Sequence, residues 1–248
     1  MRTMIGCVAV LLGLMGIKSG AVALPENNSS MAPLIKVETA ASATPTKPAS
    51  VAVNTTQPGK IFRDCADCPG MIAIPDKNYA LGKYEVTQTK WYAIMGNNPS
   101  HFSSCGDNCP VENVSWNNIQ GYLTKLNQKS GKNCRLPKET EWEYACYGGN
   151  QTDNCGSNDI NAVAWYAGNS DSKTHTVGQK QPNGYGLYDM SGNVWELMED
   201  CYNGDCAVHV LRGGSCEFPQ LARAADRTAV DTAYRSRDIG FRLARTLP

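Results

Sequence analysis

The chain has 248 residues, 42% apolar and 19% charged, enough for one sizeable core and unlike a disordered or membrane-spanning composition. Lysines plus arginines equal aspartates plus glutamates at 23 each, so there is no basic surplus to attract nucleic acid or an anionic bilayer.

The N-terminus reads as a leader. Arg2 gives a short basic start, Ile5 to Ile17 is an apolar run, and Ala21-Val22-Ala23 is a small-x-small cleavage site. This pattern predicts a secretory signal peptide over residues 1–23, because the apolar run is too short to cross a bilayer core of roughly 30 Å. Removing it takes away Arg2 and Lys18 and leaves two more acidic than basic side chains. The expected location is exported: periplasmic, cell-surface or secreted.

Residues 24–60 are rich in Ser, Thr, Ala, Asn and Pro and contain no aromatic residue. Such a stretch cannot bury enough apolar area to offset its ordering entropy, so a flexible tether is expected. The folded domain is expected over residues 61–248. Within it, "YEVTQTKWYAIMG" predicts a helix capped by Thr87 and stopped by Gly96. "SWNNIQGYLTKLNQKSG" predicts another, between Ser115 and Gly131. "KETEWEYACYGG" predicts a third, with Trp142 and Ala145 on one face. Elsewhere Gly, Asn and Asp are frequent, and short runs such as "HVLRGG" and "GFRLA" suit brief strands.

Beyond the leader the chain holds ten cysteines, an even number in a chain expected to fold under oxidising conditions. Proximity favours Cys105–Cys109, Cys146–Cys155 and Cys201–Cys206. Cys65 and Cys68 form a Cys-x-x-Cys that could be a redox dithiol, but the βαβ context is missing. A zinc ribbon would need a second matching pair, so a structural bridge is favoured. By elimination Cys134 and Cys216 are left to each other, a staple worth roughly 4 kcal/mol in the loop-entropy picture. The three histidines, His101, His175 and His209, lack metal-ligand spacing and read as lone exposed side chains. There is no nucleophile elbow, Walker loop or dinucleotide fingerprint.

An ordered series of motifs carries more information. "LGKYEVTQTKW", "NPSHF", "PVENVSW", "RLPKETEWEYA", "NGYGLYDMSGNVWEL", "LRGGS" and "IGFRLAR" run in that order between residues 81 and 245. In this the chain resembles the formylglycine-generating enzyme (sulfatase-modifying factor) family. The resemblance implies an α+β fold, compact and C-type-lectin-like, with little regular secondary structure. Trp91, Trp116, Trp142 and Trp195 are core candidates. Arg135, Arg212 and Arg242 would need carboxylates such as Glu141, Glu143 and Glu196 if buried.

The resemblance also implies structural calcium. Asn193 and Glu196 of "SGNVWE" would hold one ion, and Asn169 and Ser170 with Asp189 a second, through the hard oxygens calcium prefers. The family's oxidases hold copper with two cysteines shortly after Gly-Gly-Ser. Here only Cys216 follows that motif, so neither copper nor the oxidase chemistry is expected and no catalytic residue is assigned.

What remains is binding of an unknown surface ligand, protein or glycan. Lectin-type relatives include the variable proteins of diversity-generating retroelements, whose variable positions arise from Asn-type codons. Residues 216–238 fit the amino acids such codons reach, except Glu217 and Gln220. The expected ligand contacts are Phe218, Asp226, Ala229, Val230, Asp231, Tyr234, Ser236, Arg237 and Asp238, on a rigid base. Two alternatives stay open: a family enzyme with altered chemistry, and a structural envelope accessory protein.

Overall fold

The computed structural model describes residues 59–218 and 222–248. The expected leader, the tether up to residue 58, and Gln220 lie outside the described residues.

Strands are short and helices few, as the Gly- and Asn-rich composition dictates. Five strands, β1 (Ile61–Phe62), β2 (Met71–Ala73), β3 (Tyr79–Gly82), β4 (Cys134–Arg135) and β11 (Ala244–Thr246), form one antiparallel sheet in the order β1-β2-β3-β11-β4. The pairing of β11 with β3 and β4 brings Ala244–Thr246 beside strands from the first half of the described domain. A second sheet has the order β10-β7-β8-β9, built from β7 (Trp195–Tyr202), β8 (Asp205–Arg212), β9 (Arg227–Asp231) and β10 (Ile239–Gly240). A third is the parallel pair β5 (Ala164–Trp165) and β6 (Ser191–Gly192).

The helices start and stop where local chemistry requires. Thr87 caps α1 (Gln88–Met95) by accepting from Lys90 N, and Gly96 ends it at φ 78°. Ser115 caps α2 (Trp116–Ser130) through a capping box with Asn118, and Gly131 ends it at φ 65°. In α3 (Glu139–Tyr147) the Glu141 carboxylate reaches back to Lys138 N at 2.9 Å. A single turn, α4 (Ile160–Val163), precedes β5.

Two apolar clusters form the core. One holds Trp91 stacked on Tyr122 with centroids 5.2 Å apart, and Phe241 edge-on to both. The other surrounds Trp142, which is fully buried together with Ala145 on the same face of α3. Trp195 is buried too, whereas Trp116 is half-buried and stacks on His209 at 4.3 Å. His209 is therefore buried, and His175 lies half-buried against Trp165 at 3.9 Å; only His101 is the exposed histidine expected. Aromatic stacking provides a use for an imidazole ring that sequence spacing does not reveal.

Cys65–Cys68, Cys105–Cys109, Cys146–Cys155 and Cys201–Cys206 are disulfide-bonded. The expected Cys134–Cys216 bridge is absent: both are buried free thiols. Each backbone is pinned by different neighbours. Cys134 sits on β4, clasped by the Asn127 side chain of α2, which accepts from Cys134 N and donates to Cys134 O. Cys216 donates its N–H to Asn193 O and accepts from Ser170 Oγ. Pairing by elimination supplies no approach of the Cβ atoms, and a bridge needs that approach.

Candidate functional site

The last third of the chain builds a buried polar network with an exposed surface above it. Gly192 (φ 77°) and Asn193 (φ 62°) turn the chain sharply between β6 and β7. A Cβ at Gly192 would lie 2.2 Å from Trp165 O, so only glycine fits there. The turn drives Asn193, Glu196 and Asp189 inward.

Arg242, fully buried, donates to both Glu196 oxygens at 2.6 and 2.5 Å, to Gly82 O and to Tyr188 O. Trp142 Nε1 donates to Glu196 Oε2 at 2.7 Å. The other two arginines expected to need carboxylates also find them: Arg135 pairs with Glu141 at 2.6 Å, and Arg212 with Glu143 at 2.9 Å and Glu139 at 3.6 Å. Glu85, which the sequence reading did not single out, accepts from Asn193 Nδ2 at 2.7 Å and Val194 N at 3.1 Å. Burial pushes its carboxyl well above the usual range, and Asp189 and Glu196 add to the effect. Burial likewise raises Asp189 to about 6. The only sequence signal for Glu85 is an acid between the apolar Leu81 and Val86.

The expected calcium ligands fare unequally. Glu196 has both oxygens engaged by Arg242 and Trp142. Asn193 commits its amide to Glu85, His175 N and His175 O. Asn169 bonds Tyr166 N and Ala164 O, and Ser170 donates to Cys216 O. Asp189 differs: Oδ2 accepts from Gly178 N at 2.7 Å, while Oδ1 is buried with no partner. Asn193 and Glu196 as placed therefore do not fit as a side-chain pair for calcium, and of the expected ligand side chains only Asp189 keeps an oxygen, Oδ1, without a partner. Among the described residues no group of three His, Cys, Asp or Glu side chains converges as a metal cluster.

The expected ligand contacts separate into three sets. Phe218 (40% exposed), Tyr234 (51% exposed), Asp231 and Arg237 face solvent. Arg237 reaches Glu217 at 2.5 Å, and Phe218 packs edge-on against Trp195. Asp226, Ala229, Val230 and Ser236 are half-buried, with Val230 packed on the first core cluster. Asp238 is a correction: it is 4% exposed, accepts from Ser215 Oγ at 2.8 Å, and also takes the Ser236 hydroxyl. Its burial comes from Ser215, far away in sequence, and from Trp195 N donating to its carbonyl at 2.8 Å.

Beneath the solvent-facing side chains the backbone is held at many points. Thr232 N donates to Ala207 O, Asn117 N to Thr232 O, Tyr234 N to Asp231 O, Asn113 N to Ser236 O and Ile239 N to Ser236 O. Cys216 offers no reactive group, because it is fully buried and burial pushes its thiol far up.

Short strands around buried arginine–carboxylate pairs, with a C-terminal surface above them, define a domain of the formylglycine-generating and C-type-lectin-like class. The chain belongs to the sulfatase-modifying factor enzyme 1-like domain family, whose model matches residues 42–247. It is 36% identical over 201 residues to the chaperone protein LppX of Paenibacillus barcinonensis, covering 56% of this chain and 71% of that protein. It is 32% identical over 171 residues to the formylglycine-generating enzyme of Streptomyces coelicolor, covering 55% of this chain and 52% of the enzyme. The chain thus spans about half the length of that enzyme. Its fold is similar to that of Treponema denticola variable protein 1, with a TM-score of 0.63 and 33% identity over 68% of this chain and 84% of that one.

Proposed function

We propose that the domain is an exported ligand-binding module whose contact surface is carried by Phe218, Asp231, Tyr234 and Arg237. One observation carries this reading. Exposed aromatic and charged side chains stand on a segment whose backbone is tied down on several sides, which suits recognition because little ordering entropy is lost on binding. The similar solved structure, Treponema denticola variable protein 1, supports by its name the reading of a surface free to vary on a fixed scaffold. Four disulfides, and the absence among the described residues of any helix long and apolar enough to cross a membrane, are compatible with export. Asp189 Oδ1 would be the anchor for a structural calcium ion in this reading.

The test is a paired melt and binding screen of Tyr234→Ala and Arg237→Ala on a glycan array and against surface proteins of partner cells. Binding should change while the melting temperature does not. Neutral behaviour in both assays would move the binding surface elsewhere. The competing reading, an oxidase of altered chemistry, predicts turnover of a cysteine-containing sulfatase peptide with copper and oxygen. The buried, protonated Cys216 weighs against it.

A further inference from the structure

Away from that surface, a cleft of about 300 Å³ opens between the end of β1, the start of α1 and the loops around Asn108 and Thr176. Arg63 and Lys90 line it, together with Tyr84 and Asn108. The neighbouring carboxylates are already taken: Asp64 pairs with Arg245 and Asp67 with Lys129. Among the described residues this leaves Arg63 and Lys90 without an acidic partner, and the only polar contact of Lys90 Nζ is Ala66 O at 3.3 Å. The one acid in the lining, Glu85, has its oxygens engaged by Asn193 Nδ2 and Val194 N.

We infer that this cleft binds a small oxyanion, the carboxylate or sulfate group of a ligand, between the Arg63 guanidinium and the Lys90 ammonium. Two like charges brought to one cleft repel each other, and an anion relieves that repulsion. The guanidinium fork matches a two-oxygen face, and the ammonium adds a point charge. Burial, and secondarily Arg63, lowers the affinity of Lys90 for its proton, and Asp67, whose carboxylate is paired with Lys129, offsets only part of this. The volume lies at the lower end of small-molecule sites, so it suits a single anionic group or a small acid rather than a large ligand. The site is independent of the C-terminal surface, and either proposal can fail without the other.

The experiment follows the acetylation rate of Lys90 in the full chain by mass spectrometry, with exposed Lys132 as internal reference. Sodium sulfate and sodium acetate are each compared with sodium chloride at equal ionic strength. At least threefold slower labelling of Lys90 relative to Lys132 is expected with an oxyanion. Protection by sulfate alone identifies a sulfate-type ligand, and protection by acetate alone a carboxylate. Arg63→Gln should abolish the protection without shifting the melting temperature, since Arg63 is exposed and forms no ion pair. Equal labelling in all three salts, or protection that persists in Arg63→Gln, would overturn the proposal.

Discussion

Arg242→Met is the sharpest test of the scaffold. The substitution keeps an unbranched chain in the cavity but removes two bonds to Glu196 and one each to Gly82 O and Tyr188 O. Losing one partner of a buried ion pair costs roughly 3–5 kcal/mol. Each orphaned buried carbonyl adds about 1–3 kcal/mol where water cannot reach it. The terms overlap, so the expected loss is about 5 kcal/mol, comparable with the whole stability of a marginal domain. Urea unfolding measures it. Glu85 and Asp189 also lose the guanidinium that pulls their carboxyls down, so both rise further. A group whose folded pKa is raised contributes stability at low pH and loses it as pH rises. The deficit of Arg242→Met should therefore be smaller at pH 5 than at pH 8. The double variant Arg242→Met, Glu196→Gln should be more stable than Arg242→Met alone, because no unpaired charge remains at Glu196. A single-variant cost under about 1 kcal/mol, or a double variant no better than the single, would refute the view that this pair holds the site.

Four further outcomes are expected. Tyr234→Ala and Arg237→Ala should each shift stability by no more than about 0.5 kcal/mol, whereas Asp238→Ala should cost roughly 1–3 kcal/mol by orphaning the Ser215 hydroxyl; thermal melts decide. Glu112, raised by burial from 4.5 to about 7, holds a proton in the folded state that the unfolded chain loses, so its contribution falls as pH rises from 4.5 to 7. Over that window the loss is at most about 3 kcal/mol, and Glu112→Gln should flatten the stability–pH curve there; an unchanged slope would refute the assignment. In a chain carrying Cys7→Ser, thiol titration without reductant should find two free thiols after unfolding and essentially none in the native protein, because Cys134, raised to about 11, and Cys216 are buried. Chelation should lower the melting temperature, and Asp189→Asn should erase the difference; superimposable wild-type curves would remove calcium from the account.

The features legible in the sequence are those fixed within a few residues. Thr87, Ser115, Gly96 and Gly131 act on their own helix turns, so caps and stops follow from local chemistry. Glu141 sits six residues from Arg135 in the first turn of α3, close enough along the chain for the half-buried guanidinium to take it. That Arg212 and Arg242 need carboxylates, though not which ones, is legible for a different reason. A few arginines and glutamates embedded in apolar runs have no other way to be buried, so they must find one another across the fold.

The misread positions are those whose environment is set by distant segments. Asp238 follows the polar run Arg235-Ser236-Arg237 in sequence, yet Ser215 and Trp195 enclose it. The eveness of ten cysteines suggested a fifth bridge, yet Cys134 lies under Asn127 while Cys216 hangs from Asn193. Glu85 reads as one more polar residue before a helix. It becomes an acid held among acids only when Asn193 and Val194 arrive from more than a hundred residues away. The backbone beneath Tyr234 and Arg237 is likewise held from distant segments, by Ala207 O, Asn117 N and Asn113 N. On the proposed reading, replacing either exposed side chain would change what a ligand meets while leaving these bonds in place.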